Sequence, residues 1–328
     1  MNNTSKSTVR KLGIVGGLGS LAGGDLFYKL VRSRAVLEDQ GRFHFLFEQH
    51  PFKDLLLTLN EGANMTSRTF YVYQVCRSFE ANGVDAVMLP CFASHTFRDE
   101  IQQELGIPVL DMMQALREHL GHVVAPGTPL GVIASDFVRT SGLFERYLGE
   151  HYPLVYPHAS AQAALMEGMY GANGIKDGHL DGVPLESVYQ ACLSVQAQGA
   201  AIVVPGMTEL SLVCGDLQRR GVAVLDINEV YAHFATLDSG QPGRPPFKLG
   251  IVGGVAILWD SGFPVRWTLE TSLDGTQWDV AYTSTDSRGD TDTLVFPARE
   301  ARYVRIASPS KSSDWATSIF EFEPVAAD

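Results

Sequence analysis

The segments VDAVMLPCFASH (84–95) and AAIVVPGMTEL (200–210) share one layout, and the fold class can be read from it. In each, a short apolar run ends at a proline and the chain then turns toward a helix start. A strand that is apolar at successive positions is buried on both faces, as in a parallel sheet covered by helices. The same texture extends through LGIVG (12–16), FHFLF (43–47), LGVIAS (130–135) and VAVLD (222–226), with strands at 85–90 and 201–205 in the two opening segments. Between them lie amphipathic stretches of helical period: SRTFYVYQVCRSFEANG (67–83), SHTFRDEIQQELG (94–106) and PLESVYQACLSVQAQG (184–199). This alternation predicts an α/β domain over 11–237, with its site beyond the carboxyl ends of the strands.

The texture changes at both ends of that domain. Residues 1–10 read as a flexible polar tail, and 238–247, containing SGQPGRPPF, as a Gly/Pro linker. From 248 to 328 the segments RWTLETS, QWDVAYTS, DTLVF, ARYVRIAS and SIFEFEP carry no helix period and predict a small antiparallel β domain. The heptapeptide KLGIVGG occurs at 11–17 and again at 248–254. The residues after the second copy bear no resemblance to those after the first, so the repeat reads as a relic of duplication or fusion.

The 328 residues suffice for two domains and a large core. With 25 Lys and Arg against 37 Asp and Glu, the net charge of −12 argues against nucleic acid or an anionic membrane as partner. No run is long enough to span a bilayer, and the polar start does not read as a signal peptide. Cys76, Cys91, Cys192 and Cys214 are scattered without a C-x-x-C pair. They predict reduced thiols in a cytoplasmic protein, with neither a disulfide frame nor a zinc site.

Cys91 follows a buried strand and precedes a helix start near Ser94. Backbone N–H groups at such a start favour a thiolate, the form that a carbon-acid base needs at neutral pH. The alternative, a small buried hydrophobe, suits Cys76, Cys192 and Cys214 better. The matching position of the second segment is Met207. Two facing thiols can move a proton from one face of a carbon to the other, whereas one thiol removes and returns it on its own face. GIVGGLGS (13–20), with Gly17 and Gly19, either offers N–H groups to a carboxylate or is a turn needed for packing. It lacks the G-x-G-x-x-G spacing of a dinucleotide site. Lys176, in the loop-like YGANGIKDG (170–178), and Lys53 are either carboxylate partners or solvated surface lysines. His95 either steers a proton or caps the helix start. Glu209 joins the catalytic candidates by position and also reads as a helix N-terminal carboxylate.

In this order, KLGIVGGLGSLAG (11–23), LPCFASHTFRDEIQQELGIPVLDM (89–112), YGANGIKDG and PGMTEL (205–210) resemble motifs of the aspartate/glutamate racemase family, which works without pyridoxal phosphate. The resemblance implies two pseudo-symmetric parallel-sheet α/β halves with one catalytic thiol from each. It also implies no cofactor and a small amino acid of the aspartate/glutamate kind as substrate. On it, Cys91 is the first thiol and Lys176 the carboxylate partner. Thr208 and Glu209 keep their places beside the second site, where Met207 replaces the second Cys. Cys214, seven positions on and about 10 Å away along a helix, does not simply substitute for it. Phe92 and Ala93, ahead of Ser94, replace an Asn and a Thr that help bind the α-carboxylate. Phe137 and Val138 replace a Gly-Thr pair, which with Phe92 suggests a more apolar pocket than aspartate favours. Lys53 stands near the place of a usual arginine.

The tail resembles the second half of discoidin-type (coagulation factor C-terminal) modules through LETSLDGTQWDVAY, DTLVFP, ARYVRIAS and SIFEFEP. Those modules bind sugars or lipid head groups. The first half is missing here, which weakens the carry-over of carbohydrate binding and leaves an edge to pair.

Two classes of function are consistent with these residues. The first is a cofactor-independent isomerase, with Cys91 as the base at the α-carbon of a small amino acid or carboxylate. Its one thiol also suits decarboxylation or exchange on one face. The second is a ligand-binding derivative that retains the pocket without turnover. Among closed assemblies a homodimer is the commonest.

Overall fold

Among the described residues, six parallel strands, most of them on the apolar runs, make two three-stranded sheets of the same order. The first holds β1 (Arg10–Val15), β2 (Phe43–Glu48) and β3 (Ala86–Met88) in the order β2-β1-β3. The second holds β4 (Leu130–Ala134), β5 (Leu154–Val155) and β6 (Ile202–Gly206) in the order β5-β4-β6. The computed structural model describes residues 9–38, 40–50, 58–237, 250–259, 265–272, 277–287, 291–301, 303–307 and 319–326. Lys53, the 238–247 stretch and residues 1–8 therefore lie outside the described residues. The chain divides into two compact units, Met1–Gln241 and Pro242–Asp328.

The second sheet repeats the first in detail. Beside β3, Val87 bridges Val109; beside β6, Val203 bridges Val224. Each bridge is closed by the same pair of bonds. Val87 N–H donates to Pro108 O and Leu110 N–H to Val87 O at 2.9 and 2.8 Å; Val203 N–H donates to Ala223 O and Leu225 N–H to Val203 O at 2.7 and 3.0 Å. An aspartate then caps the following helix in both halves, Asp111 before Met112–Val123 and Asp226 before Ile227–Thr236. PVLDM (108–112) and AVLDI (223–227) are the sequence trace of this repeat.

Three expectations change in detail. VAVLD forms a single bridge at Val224 instead of a strand, and the two-residue β5 carries too little apolar sequence to be read as one. The helix expected over 94–106 is two short helices, Phe92–His95 and Arg98–Gln103. The Thr96 hydroxyl donates to the Ala93 carbonyl at 2.7 Å, and Phe97 N–H turns to Ser94 O instead of Ala93 O.

The core spans both halves. Leu12, Ile14, Val15, Val87, Met88, Val132 and Val204 are buried in one continuous apolar cluster. The Ile227–Thr236 helix returns to the first half, where the buried Tyr231 hydroxyl donates to Leu110 O at 2.8 Å and accepts from Leu89 N–H at 3.2 Å. Lys29 on the Ser20–Arg32 helix pairs with both Asp25 and Asp226.

The second unit is antiparallel. Its strands are β7 (Gly250–Trp259), β8 (Trp267–Ser272), β9 (Asp279–Ser284), β10 (Thr291–Ala301), β11 (Tyr303–Ala307) and β12 (Ile319–Ala326). They form the sheets β10-β7-β12 and β11-β8-β9, with Val255, Ile257, Trp267, Leu269 and Phe296 in a small core. The first copy of the repeated heptapeptide thus enters a parallel sheet in β1 and residues 250–254 of the second an antiparallel one in β7, so strand propensity does not fix the pairing. Among the described residues no helix is long and apolar enough to cross a membrane.

Asp111 carries more than its cap. Its Oδ1 accepts from Met113 and Gln114 N–H, and its Oδ2 accepts the Tyr147 hydroxyl at 2.8 Å. Asp111→Ala is expected to lower the unfolding free energy by roughly 2 kcal/mol in urea denaturation. Asp111→Asn, which keeps an acceptor at the cap, should lose less.

Candidate active site

Cys91 and Met207 occupy equivalent places. Each follows the strand end of its half and immediately precedes a helical segment, Phe92–His95 or the 3-10 turns Thr208–Val213. Both backbones are extended, with φ and ψ of −163° and 115° at Cys91 and −138° and 126° at Met207. Each carbonyl accepts from the residue three on: Ser94 N–H to Cys91 O at 3.1 Å, and Leu210 N–H to Met207 O at 3.2 Å. Both side chains are buried. The Thr208 hydroxyl donates to the Pro90 carbonyl at 2.9 Å, so the residue after Met207 is tied to the residue before Cys91. The two strand-end loops meet there.

A buried cation adjoins the thiol. Arg68, 4% exposed, projects from the Thr66–Ala81 helix. Its Nη1 donates to Leu18 O at 3.4 Å and lies 3.9 Å from Cys91 Sγ. The opposite side of the site is an ion pair. Lys176, in a 3-10 turn at Ile175–Asp177, pairs with Glu209, both largely buried. The Lys176 ammonium also lies 5.3 Å from the Tyr170 ring centroid. Desolvation pushes the Tyr170 phenol well above its ordinary value, with help from the Glu209 and Cys91 charges, so it stays a neutral donor.

The glycine turn is explained by this pair. Gly17 adopts a left-handed φ of 77°, and the chain then brings Gly19 against the Glu209 carboxylate. A Cβ at Gly19 would run into that carboxylate and sit 3.5 Å from Lys176 Nζ. The backbone therefore approaches the ion pair closely, and a side chain at position 19 would have to push the Glu209 carboxylate aside.

His95 sits between the Cys91 loop and the next helix. Its Nε2 accepts Met112 N–H at 3.0 Å, which leaves Nδ1 to carry the hydrogen and donate to Cys91 O at 2.9 Å. Burial pulls the imidazole below its ordinary 6.5. The ring is a neutral strut with both nitrogens committed. Phe92 is buried against Phe144 at 5.3 Å between ring centroids, and Ala93 is buried beside it. The Ser94 hydroxyl is buried with no hydrogen-bond partner. Val138 is buried and Phe137 half-buried, with Phe137 N–H donating to Leu59 O. The Cys214 thiol points to the Val224 carbonyl at 3.8 Å, in its own half's packing. Lys53 is not among the described residues. Among those described, no cluster of three or more His, Cys, Asp or Glu side chains could hold a metal ion.

Arg68 and Tyr170 are the site residues that sequence reading missed. Arg68 had a signal: it lies on the same helical stripe as the buried Tyr71, Val72, Val75 and Phe79. A charge on the core face of an amphipathic helix requires a reason.

Two repeating α/β halves whose strand-end loops meet over a buried thiol define a racemase-like parallel α/β protein. The chain belongs to the Asp/Glu/Hydantoin racemase family, which matches residues 15–235. Over 142 residues it is 23% identical to the broad specificity amino-acid racemase RacX of Bacillus subtilis, covering 42% of this chain and 58% of that protein. The match thus spans little more than half of that relative. The Picrophilus torridus aspartate racemase superposes with a TM-score of 0.53 at 16% identity, over 68% of this chain and 91% of that one. A chitosan-binding module of a Paenibacillus chitosanase/glucanase is 32% identical over 23% of this chain and 60% of that one. At a TM-score of 0.23, that likeness assigns neither fold nor ligand to the second unit.

The four thiols differ in kind. Burial pushes Cys76, Cys192 and Cys214 up to about 12, while Cys91, 7% exposed, lies beside a guanidinium. Iodoacetamide at neutral pH should label Cys91 well ahead of the other three in the native chain, as read by peptide mass spectrometry. Equal labelling of all four would contradict this arrangement.

Proposed function

We propose that the first unit is a cofactor-independent, isomerase-type site in which the Cys91 thiolate removes and returns the proton α to the carboxylate of an amino acid. The observation that carries the reading is Arg68 Nη1 at 3.9 Å from Cys91 Sγ, in a loop tied to its counterpart through Thr208. A fixed cation beside a thiol supplies the charge with which a thiolate pairs. Family membership supports the same class of chemistry. The reading needs a free thiol at position 91, which a reducing compartment such as the cytoplasm maintains.

The other loop limits the outcome. A thioether has no ionisable proton, so Met207 neither accepts nor delivers one. Tyr170 is held neutral and Glu209 is committed to Lys176, which leaves one base on one face among the described residues. Proton exchange with retention is the expected native chemistry, and full racemisation is the chemistry of a two-thiol relative.

Met207→Cys places a thiol at the equivalent extended position. Chiral chromatography of amino acids incubated with this variant should show inversion that the native chain lacks and that Cys91→Ala abolishes. A folded Met207→Cys with a free thiol and no inversion would contradict the two-face geometry. Inversion by the native chain that survives Cys91→Ala would defeat the role of Cys91.

A further inference from the structure

We infer that the ligand of this site carries one carboxylate, held by Arg68, and that the Lys176–Glu209 pair refuses a second. The inference rests on the proposed exchange chemistry and names its substrate class. The charges in the site are few. Arg68 and Lys176 are cationic, Glu209 is anionic, and Tyr170 and His95 are neutral. Lys176 is matched by Glu209 inside the protein. Arg68 has no carboxylate partner among the described residues: its Nη1 contacts are the Leu18 carbonyl and the Cys91 sulfur.

A guanidinium is always charged and has five N–H donors in a planar fork, so these contacts leave most of its capacity unused. A buried charge of this kind is matched by an anion. With Cys91 as the working thiolate, Arg68, Lys176, Glu209 and Cys91 sum to zero. A zwitterionic amino acid with one carboxylate adds nothing to that sum, and its carboxylate can share the Arg68 fork with the sulfur. Aspartate or glutamate would bring a second carboxylate, and among the described residues no unpaired cation meets it. Met207, buried at the position equivalent to Cys91, brings a thioether and no charge, which suits an apolar substituent. The geometry thus favours neutral, apolar α-amino acids over acidic ones.

The test is ligand-observed NMR titration of the full chain. The probes are L- and D-leucine, -methionine and -phenylalanine against L- and D-aspartate and -glutamate. The neutral compounds should bind at least about tenfold more tightly than the acidic ones. Arg68→Met should weaken their binding by about tenfold or more without lowering the melting temperature, because it removes a buried charge that no carboxylate among the described residues pairs. Glu209→Gln, which releases the Lys176 charge, should shift the preference toward aspartate and glutamate. Acidic compounds binding as tightly as neutral ones, unchanged binding in Arg68→Met, or no binding by any compound would overturn the inference. Binding in the expected pattern without α-proton exchange would leave the charge rule standing and defeat the base chemistry. Exchange that ignores Arg68→Met would defeat the carboxylate role of Arg68 and also the cation–thiolate pairing on which the base chemistry rests.

Discussion

The hydrogen bond from the Thr208 hydroxyl to the Pro90 carbonyl holds the site together. It joins two loops that the fold builds by the same recipe. In each half an apolar strand ends, the chain runs on to an extended residue, and a helical segment begins directly after it. The identity of the residue in that extended position is the chemical variable. Here it is a thiol on one side and a thioether on the other. The buried Asn228 supports the join from below, donating through Nδ2 to the Thr208 carbonyl at 3.4 Å and to Asp25 Oδ2 at 2.7 Å.

Charge placement then divides the labour. Arg68 sits with the thiol, while Lys176 and Glu209 neutralise one another, with the Gly19 backbone against the carboxylate. A single electrostatic scheme thus links the Gly-rich turn, the Thr66–Ala81 helix and the 3-10 turn at Lys176. Breaking the ion pair would leave a charge buried alone, a costlier change than its small contribution to net stability suggests.

Much of the first unit is legible in the sequence because buried parallel strands need uninterrupted apolar runs, and β1, β2, β3, β4 and β6 all have them. Details set by single side chains are not. The helix break at Thr96 depends on a hydroxyl competing for one carbonyl, and VAVLD is too short a contact to become a strand. In the site, the Cys91 and Met207 positions follow from local layout alone. Lys176 does not, because its partner Glu209 is 33 residues away and only the fold brings them together. Arg68 is the instructive case: its place on an apolar stripe is plain, but an isolated arginine reads as solvated until the stripe is counted. His95 shows the converse. Its position beside the thiol suggests proton transfer, and only the two backbone bonds show that the ring is a strut.

The chemistry proposed for this site reduces to one thiol working on one face of a carbon. Proton NMR of neutral amino acids with the native chain in deuterated water, followed by chiral analysis of the same samples, examines that directly. A single working base should give loss of the α-proton signal with retention of configuration, and no loss in Cys91→Ala. Inversion by the native chain, or exchange that persists in Cys91→Ala, would contradict it.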